Sequence, residues 1–364
     1  MGQLKSGDSP NLDLLRSFAV LAVLVDHTAG TFGIAHKYPL LFALGRWGVL
    51  LFFVHTSLVL MMSLGRLQLS GWKLFTTFYL RRFFRIYPLS MVAVAVTLVA
   101  QVPFSSWALT YEPPSRGTIL ANFLLVQNLA KRPDVIGPLW SLPYEVQMYI
   151  LLPVLFLLFR KPFLKPFIGI WIVSVVLGLL QPWVADSALG PRFWVDRLGI
   201  AEFIPCFLAG VLAYQLSLRE KKPSQPFLAW VFTLGLVTIV YLLWEGGAGS
   251  FKIPEWVCCL AIGLVVMDCA ESTYSGLNRL THLIAKYSYG IYLGQVAILW
   301  LAFVKMKTLP LSLQWSVFLF LIVAAPFAAY RLVEKPFIRF GKFLTTQAPG
   351  ICDEKFLAGT EANS

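Results

Sequence analysis

Apolar stretches long enough to cross a bilayer follow one another along almost the whole chain. A membrane-spanning α-helix needs about 20 consecutive, mostly apolar residues. The stretches that meet this requirement cover residues 12–34, 40–64, 87–104, 139–159, 164–184, 199–217, 227–244, 253–270, 283–304 and 312–333. The sequence therefore predicts an all-α, polytopic transmembrane helix bundle of about ten spans. A further apolar segment, 118–129, is too short to span and is expected to lie at the membrane interface.

The composition supports a single integral membrane domain. The chain has 364 residues, of which 58% are hydrophobic and 13% charged, whereas soluble domains are about half apolar and about a quarter charged. A polar N-terminus precedes the first apolar run and no small-residue cleavage site follows it, so we expect a retained helix rather than a signal peptide. We assign residues 1–344 to the membrane domain and predict that the polar tail, 345–364, is disordered.

The positive charge indicates an orientation in the membrane. A net charge of +12 on a soluble protein would suggest nucleic acid, but in a polytopic protein Lys and Arg mark the cytoplasmic loops. Those on the side of the N-terminus outnumber those on the other side by roughly two to one. Both termini are therefore predicted to be cytoplasmic, with membrane lipid rather than nucleic acid as the surrounding partner.

The five cysteines do not suggest a disulfide framework or a metal site. Their number is odd, none forms a CxxC pair, and most lie in or beside apolar segments. We expect them to be small buried hydrophobic residues, and we predict no bound metal.

The first apolar helix carries an unusual set of ionisable residues, Asp13, Arg16, Asp26 and His27. Such residues are rare inside a membrane unless they are paired or functional. Arg16 and His27 lie eleven residues apart, so they share a helical face at a separation of about 16 Å. Histidine titrates near neutrality and suits general base catalysis. A buried polar cluster that only fixes helix packing is the alternative, and the shared face favours function. Asp13 is expected to pair with Arg16.

Three arginines, Arg81, Arg82 and Arg85, precede the third predicted span. The predicted spans place them in a cytoplasmic loop. The spacing of Arg81 and Arg85 would let both face one anion, and guanidinium groups bind phosphate well. Juxtamembrane arginines also anchor helices to anionic lipid, and spacing alone favours that interpretation.

Glu145 enters a later span with no basic residue near it in the sequence, so its partner must come from another helix. If it pairs with His27 it would raise the basicity of the imidazole, but a hydrated glutamate at the outer boundary is equally compatible. His55 is a second histidine inside a span. Glu334 closes the last span and is expected to pair with a neighbouring arginine or lysine, while His36 and His282 are expected to be solvated in loops.

Taken together, the segments resemble the acyltransferase-3 family of integral membrane acyltransferases, which O-acylate bacterial surface polysaccharides and related acceptors. The residues that carry the resemblance form the segments "LDLLRSFAVLAVLVDH" (12–27), "RRFFRIYP" (81–88) and "WSLPYEVQMYILLP" (140–153), with closing segments "SYGIYLGQ" and "VEKPF". Each motif is weak alone, but their order and spacing cover residues 12 to 337.

The resemblance implies an O-acyltransferase of the bacterial cytoplasmic (inner) membrane. Its donor would be acyl-coenzyme A, with acetyl-coenzyme A expected, used as a co-substrate with no tightly bound cofactor. Its acceptor would be a hydroxyl of a carbohydrate, a cell-surface polysaccharide or a lipid-linked saccharide. By this resemblance, the coenzyme A phosphates would be bound by Arg16, Arg81, Arg82 and Arg85. His27 would be the base or the covalent carrier, and Asp26 or Glu145 would orient it. The supporting residues would be Trp140, Ser141, Tyr149 and Glu334.

Two departures from the family pattern affect these expectations. His55, Thr56 and Ser57 stand where the family usually has Leu, Ser and Gly, and Gln295 stands where many members have a histidine. Because an amide is not a base, Gln295 suggests a different acceptor. No esterase-like domain follows the last helix, so acceptor transfer is expected to finish in the membrane domain or to need a partner protein.

Two other classes of protein remain open on the sequence alone. Intramembrane Asp, His and Glu are typical of proton-coupled transporters, although the inverted repeats common in transporters are not detected. A membrane scaffold or polysaccharide-binding protein, in which the polar residues only pack, is the third possibility.

Overall fold

The computed structural model describes residues 9–34, 38–105, 110–162, 164–186, 199–219, 222–248 and 252–346. Regular structure in these ranges is helical. The α-helices are α1 Pro10–Thr31, α2 Pro39–Leu67, α3 Gly71–Ala100, α4 Arg116–Phe123, α5 Leu142–Leu158, α6 Leu164–Asp186, α7 Ile204–Ser217, α8 Phe227–Ala248, α9 Ile253–Val265, α10 Ser275–Leu299, α11 Leu311–Ala329 and α12 Lys335–Thr346. Short 3₁₀ turns precede α5 and α7, and π turns follow α10 and α11.

Seven helical segments are both long and apolar enough to cross a membrane, among the residues described. They are Leu40–Leu67, Gly71–Ala100, Gly137–Leu158, Leu164–Gln181, Phe227–Glu245, Ser275–Lys305 and Leu311–Thr346. The other three predicted spans are also helical: they correspond to the charged α1 and to the shorter apolar helices α7 and α9. The all-α membrane bundle is confirmed, while the count of ten spans and the cytoplasmic termini stay predictions.

Two assignments of residues to loops were wrong. α3 begins at Gly71, well before the predicted span 87–104, so Arg81, Arg82 and Arg85 lie on a helix. The prediction required a run of apolar residues, and the charged side chains interrupt that run. Because charged residues do not end a helix, α3 continues through them. His282 is likewise helical, in α10, where its Nδ1 lies 2.9 Å from Oδ2 of Asp13. His36 lies outside the described residues.

The helix starts follow local sequence signals. The Ser9 hydroxyl accepts a hydrogen bond from the amide of Leu12, and Pro10 occupies the first position of α1, which is the usual chemistry of a helix N-terminus. α2 ends at Leu67, after which Gln68 adopts a left-handed conformation with φ of 49°.

α1 packs between α2 and α10 at the centre of the bundle. Glycine on α2 allows the close approach: a Cβ at Gly48 would lie 2.5 Å from the carbonyl oxygen of Ala19 on α1. Small residues are the usual means of close helix packing in membranes, since lipid offers no hydrophobic drive for association. The arrangement places Arg16 of α1 opposite residues of α2, α3, α5 and α10.

α11, its π turn and α12 continue one another from Leu311 to Thr346. α12 packs against α3, where a Cβ at Gly341 would meet the ring of Phe84. Thr345 and Thr346 are the last residues of α12. The rest of the tail that we predict to be disordered, 347–364, lies outside the described residues.

Candidate active site

An open cavity of about 730 Å³, which we call the central cavity, lies between α1, α2, α3, α5 and α10. Its apolar wall comes mainly from α2. Its polar and aromatic wall consists of Arg16, His55, Thr56, Arg82, Arg85, Ser141, Glu145, Tyr149, Ser288, Tyr289 and Tyr292. Six of the predicted site residues thus line one space: Arg16, Arg82, Arg85, Ser141, Glu145 and Tyr149.

Arg16 reaches the central cavity from the first third of α1. Its Nε donates a hydrogen bond to the hydroxyl of Ser288 at 2.6 Å, which ties α1 to α10. Asp13, expected to pair with Arg16, instead contacts His282 one turn closer to the helix start. The guanidinium of Arg16 is therefore oriented by a neutral hydroxyl, and its charge remains directed at the cavity.

Arg82 and Arg85 are the members of the basic cluster that line the cavity. Arg85 forms an ion pair with Glu334 and stacks 5.9 Å from the ring centre of Tyr289. Arg81 points toward α12, where its Nε donates to the hydroxyl of Thr345 at 2.9 Å. The pair that faces the cavity is thus Arg82 and Arg85, spaced i,i+3, rather than the i,i+4 pair of Arg81 and Arg85.

Glu145 meets its partners in the central cavity. The Tyr149 hydroxyl, one helical turn along α5, donates a hydrogen bond to Oε1 of Glu145. The charges of Arg16, Arg82 and Arg85 act on the same carboxylate. Because a buried carboxylate needs such compensation, the structure accounts for Glu145 without His27.

His27 lies deeper along α1, about 16 Å from Arg16 by helical rise, and is not among the residues that line the central cavity. Its ring contacts the side chain of Gln295 on α10. The neighbouring Asp26 turns to the other side of α1, where its carboxylate occupies the space that a Cβ on Gly45 would need. The structure thus separates His27 from both acidic residues that the sequence considered as its orienting partners.

His55 lies on α2 and lines the same cavity as Arg16. It is 4% exposed, and its Nδ1 makes no hydrogen bond within the described residues. A buried imidazole nitrogen without a partner is uncommon and costly, so His55, like Arg82 with its unpartnered Nε, is a polar group of the wall that could contact a ligand.

The remaining predicted residues are placed around this centre. The hydroxyls of Ser141 and Tyr292 are 2.8 Å apart. Trp140 packs on the rings of Tyr144 and Phe203 and is not part of the cavity wall. Glu334 is 1% exposed and is paired through Arg85, which is distant in sequence, rather than through a local basic residue.

A family model described as an acyltransferase domain, that of the acyltransferase-3 family, matches residues 9–331. The chain belongs to this family of acyltransferases. Neither the curated proteins nor the solved structures contain a match to it. The family match covers every helix that contributes to the central cavity, so the cavity and His27 lie within the acyltransferase domain.

The sequence did not identify Ser288 or Tyr292 as contributors to the site of this acyltransferase, and it singled out Gln295 only as a departure from the family pattern. A signal was present, because the three residues follow the spacing i, i+4, i+7 within "SYGIYLGQ" and therefore share one face of α10. That face packs on α1, which explains how the same helix holds both Arg16 and His27.

Proposed function

We propose that this acyltransferase moves an acyl group, with acetyl as the expected group, from acyl-coenzyme A to a hydroxyl of a carbohydrate or lipid-linked saccharide. The proposal is supported by one observation above all: three arginines, Arg16, Arg82 and Arg85, converge on one open cavity in a member of an acyltransferase family. Arginine forks suit the phosphates of coenzyme A. Glu145 and Glu334 offset two of these three positive charges, so a bound anion would neutralise the remainder.

In this proposal the phosphates of the donor bind at the central cavity and the thioester reaches toward His27. His27 accepts the proton of the acceptor hydroxyl as its oxygen attacks the thioester carbonyl. The carbon–sulfur bond breaks, and the thiolate of coenzyme A leaves and is protonated. The products are the acyl ester and free coenzyme A. The side chain of Gln295 contacts the His27 ring and orients it. The negative charge of Glu145 offsets part of the positive charge of the arginines that line the cavity.

The direct test is acyl transfer by purified protein in lipid nanodiscs, with radiolabelled acetyl-coenzyme A and a panel of glycan acceptors. We expect His27→Ala to reduce transfer at least 100-fold, since general base catalysis contributes about that much or more. The matched control is His282→Ala, which removes a histidine that is exposed and pairs with Asp13 on the protein surface. Equal activity of His27→Ala and the wild-type protein would disprove the role of His27.

A second experiment separates direct transfer from a covalent acyl-enzyme. In a two-step reaction, the acyl group first moves to a His27 nitrogen with release of coenzyme A, and the acceptor hydroxyl then takes it. Such an enzyme exchanges radiolabelled coenzyme A into acetyl-coenzyme A in the absence of acceptor. Exchange that disappears in His27→Ala supports the covalent route, and transfer without exchange supports direct attack.

A further inference from the structure

A second cavity of about 510 Å³, which we call the lateral cavity, lies between α3 and α5. It is lined by Tyr79, Arg82, Phe83, Ile86, Tyr87, Val146, Tyr149 and Ile150. All of these except Arg82 are apolar or aromatic. Arg82, Ile86 and Tyr149 also line the central cavity, so the two spaces share these three side chains as a common wall.

The lateral cavity opens on an apolar part of the outer surface of the bundle. Phe83 is 45% and Ile150 60% exposed, and both are on helices that are long and apolar enough to span. Exposed apolar side chains on a membrane helix contact the hydrocarbon of the bilayer. An opening bordered by such side chains suits access from the membrane rather than from water.

Two tyrosines border the opening and leave its interior apolar. The Tyr79 hydroxyl donates to the carbonyl of Ile150 at 3.2 Å, and the Tyr87 hydroxyl donates to the carbonyl of Leu124 at 3.1 Å. Because both donors are used by the backbone, the two rings contribute only their apolar surfaces. Such walls suit an alkyl chain and offer little to a sugar or a nucleotide.

Arg82, which lines both cavities, carries a positive charge and an unused donor. The Nε of Arg82 is buried and has no hydrogen-bond partner within the described residues. A buried guanidinium donor without an acceptor is costly, so a ligand oxygen at this position would be favoured. Basic pockets between membrane helices are known sites for anionic headgroups.

We propose that the lateral cavity binds an anionic membrane lipid, whose alkyl chain lies between α3 and α5 and whose phosphate or carboxylate contacts Arg82. The charge at one end and the apolar space immediately beside it match an amphiphile. Acyl-coenzyme A matches less well, because its phosphates and its acyl group lie at opposite ends of a long molecule. The inference does not depend on the proposed catalytic role of His27, but it shares Arg82 with the proposed donor site, so a lipid headgroup and the phosphates of the donor would compete for this guanidinium.

Photo-crosslinking of the intact protein in nanodiscs tests the proposal without measuring transfer. The probe is palmitic acid with a diazirine in its chain, and labelled peptides are mapped by mass spectrometry. We expect labelling concentrated on residues 79–87 and 146–150, competed by phosphatidylglycerol and not by phosphatidylcholine. Arg82→Gln should reduce labelling by the acid at least fivefold while labelling by a diazirine-bearing hexadecanol persists.

Filling the cavity provides the matched pair of variants. Val146→Trp places a large ring inside the lateral cavity, whereas Val154→Trp adds the same ring to an exposed position, 47% accessible, on the same helix outside the cavity. We expect Val146→Trp to abolish the local labelling and Val154→Trp to leave it unchanged. If Val146→Trp fails to assemble, as judged by gel filtration, Ile150→Trp replaces it.

Three results would overturn the proposal. Labelling spread evenly over exposed residues of α6, α8 and α3 would mean that the probe reports only the surrounding bilayer. Labelling that survives the cavity-filling variant would place the chain elsewhere. Displacement by palmitoyl-coenzyme A but not by phosphatidylglycerol would make the cavity an acyl-chain site of the donor and would overturn the assignment to a membrane lipid.

Discussion

Arg85 on α3 and Glu334 in the π turn between α11 and α12 form an ion pair in which the glutamate side chain is fully buried. The pair joins two motifs that are far apart in sequence, "RRFFRIYP" and "VEKPF", and places Glu334 beside Arg85, which lines the central cavity. Arg85 therefore has a structural partner as well as a place in the proposed donor site.

This pairing predicts that Arg85→Ala destabilises the protein as well as weakening donor binding. Removal of one partner leaves Glu334 buried and unpaired, which typically costs about 3–5 kcal/mol. The double variant Arg85→Ala/Glu334→Gln removes both charges and should recover most of the lost thermal stability. Thermal unfolding in detergent measures this, and a double variant no more stable than Arg85→Ala would contradict the explanation.

The contact between Gln295 and His27 predicts a positioning role for the amide. Gln295→Leu should lower kcat at least tenfold, because the His27 ring loses the side chain that orients it, and should leave the donor KM nearly unchanged. Gln295→His, which introduces the residue that many family members have, should retain more activity and alter the pH profile of kcat.

Gln314→Leu is the control for the Gln295 variants, since the Gln314 amide binds only the backbone carbonyl of Leu309 among the contacts described. A donor KM that rises with Gln295→Leu while kcat is maintained would place Gln295 in the donor site instead.

The buried position of His55 leads us to expect that its replacement raises stability and lowers activity. Its buried Nδ1 has no hydrogen-bond partner within the described residues, and an unsatisfied buried polar group costs about 1–3 kcal/mol. His55→Leu, which restores the residue usual in the family, should therefore raise the unfolding temperature. If the imidazole contacts a substrate in the central cavity, the same change lowers kcat/KM for transfer. Unchanged stability would show that His55 is satisfied, for example by bound water.

The helices were largely predictable from the sequence because apolar windows report burial in lipid directly. All ten predicted spans overlap helices, but α3 was predicted to begin at residue 87 and begins at Gly71. The difference arises because arginines end an apolar window, whereas a helix tolerates them when they point into a polar cavity. The hydropathy of the sequence therefore predicts where the apolar helices lie. It does not predict that the basic segment of α3, which forms part of the site, is also helical.

The pairing of side chains within the site was much less predictable. Periodicity correctly placed Arg16 and His27 on one helix, but which helix faces each of them depends on how the bundle packs. Gly45 on α2 is an example. Its lack of a side chain leaves space that the carboxylate of Asp26 occupies, so Asp26 does not orient His27. No local pattern in the sequence contains that information.

Asp134 predicts a pH dependence that arises outside the membrane-spanning segments. Burial raises the pKa of its carboxyl group from the ordinary value of 3.8 to about 6, although Gln127 donates a hydrogen bond to it at 2.9 Å. A carboxyl group whose pKa is raised in the folded state binds protons more tightly there than in the unfolded chain. Its contribution to stability is therefore complete below about pH 4 and is lost as the pH rises to about 6.

Asp134→Asn cannot lose a proton, so it should avoid this loss. The unfolding temperature of the variant relative to the wild-type protein should increase between pH 4 and pH 7, with a difference in the free energy of unfolding of at most about 3 kcal/mol. A difference that does not change with pH would contradict the raised pKa.

The clearest separation of donor binding from anchoring comes from Arg81 and Arg82, which are adjacent in sequence and point in different directions. Arg82 lines the central cavity, whereas Arg81 binds Thr345 on α12. If the cavity holds the phosphates of coenzyme A, Arg82→Ala should raise the donor KM about ten- to a hundredfold, the equivalent of roughly 1.5–3 kcal/mol for one charge-assisted contact. The acceptor KM should change little.

Arg81→Ala is the matched control, because it removes the same charge from the same helix without altering the cavity wall. Its effect should appear in stability and protein yield rather than in the donor KM. Arg82→Lys should recover only part of the loss, since lysine keeps the charge but lacks the planar fork. If both alanine variants raise the donor KM equally, the arginines act through the overall positive charge of α3 and not through contact with the donor. An unchanged donor KM in Arg82→Ala, measured on protein normalised for correct insertion, would remove Arg82 from the donor site.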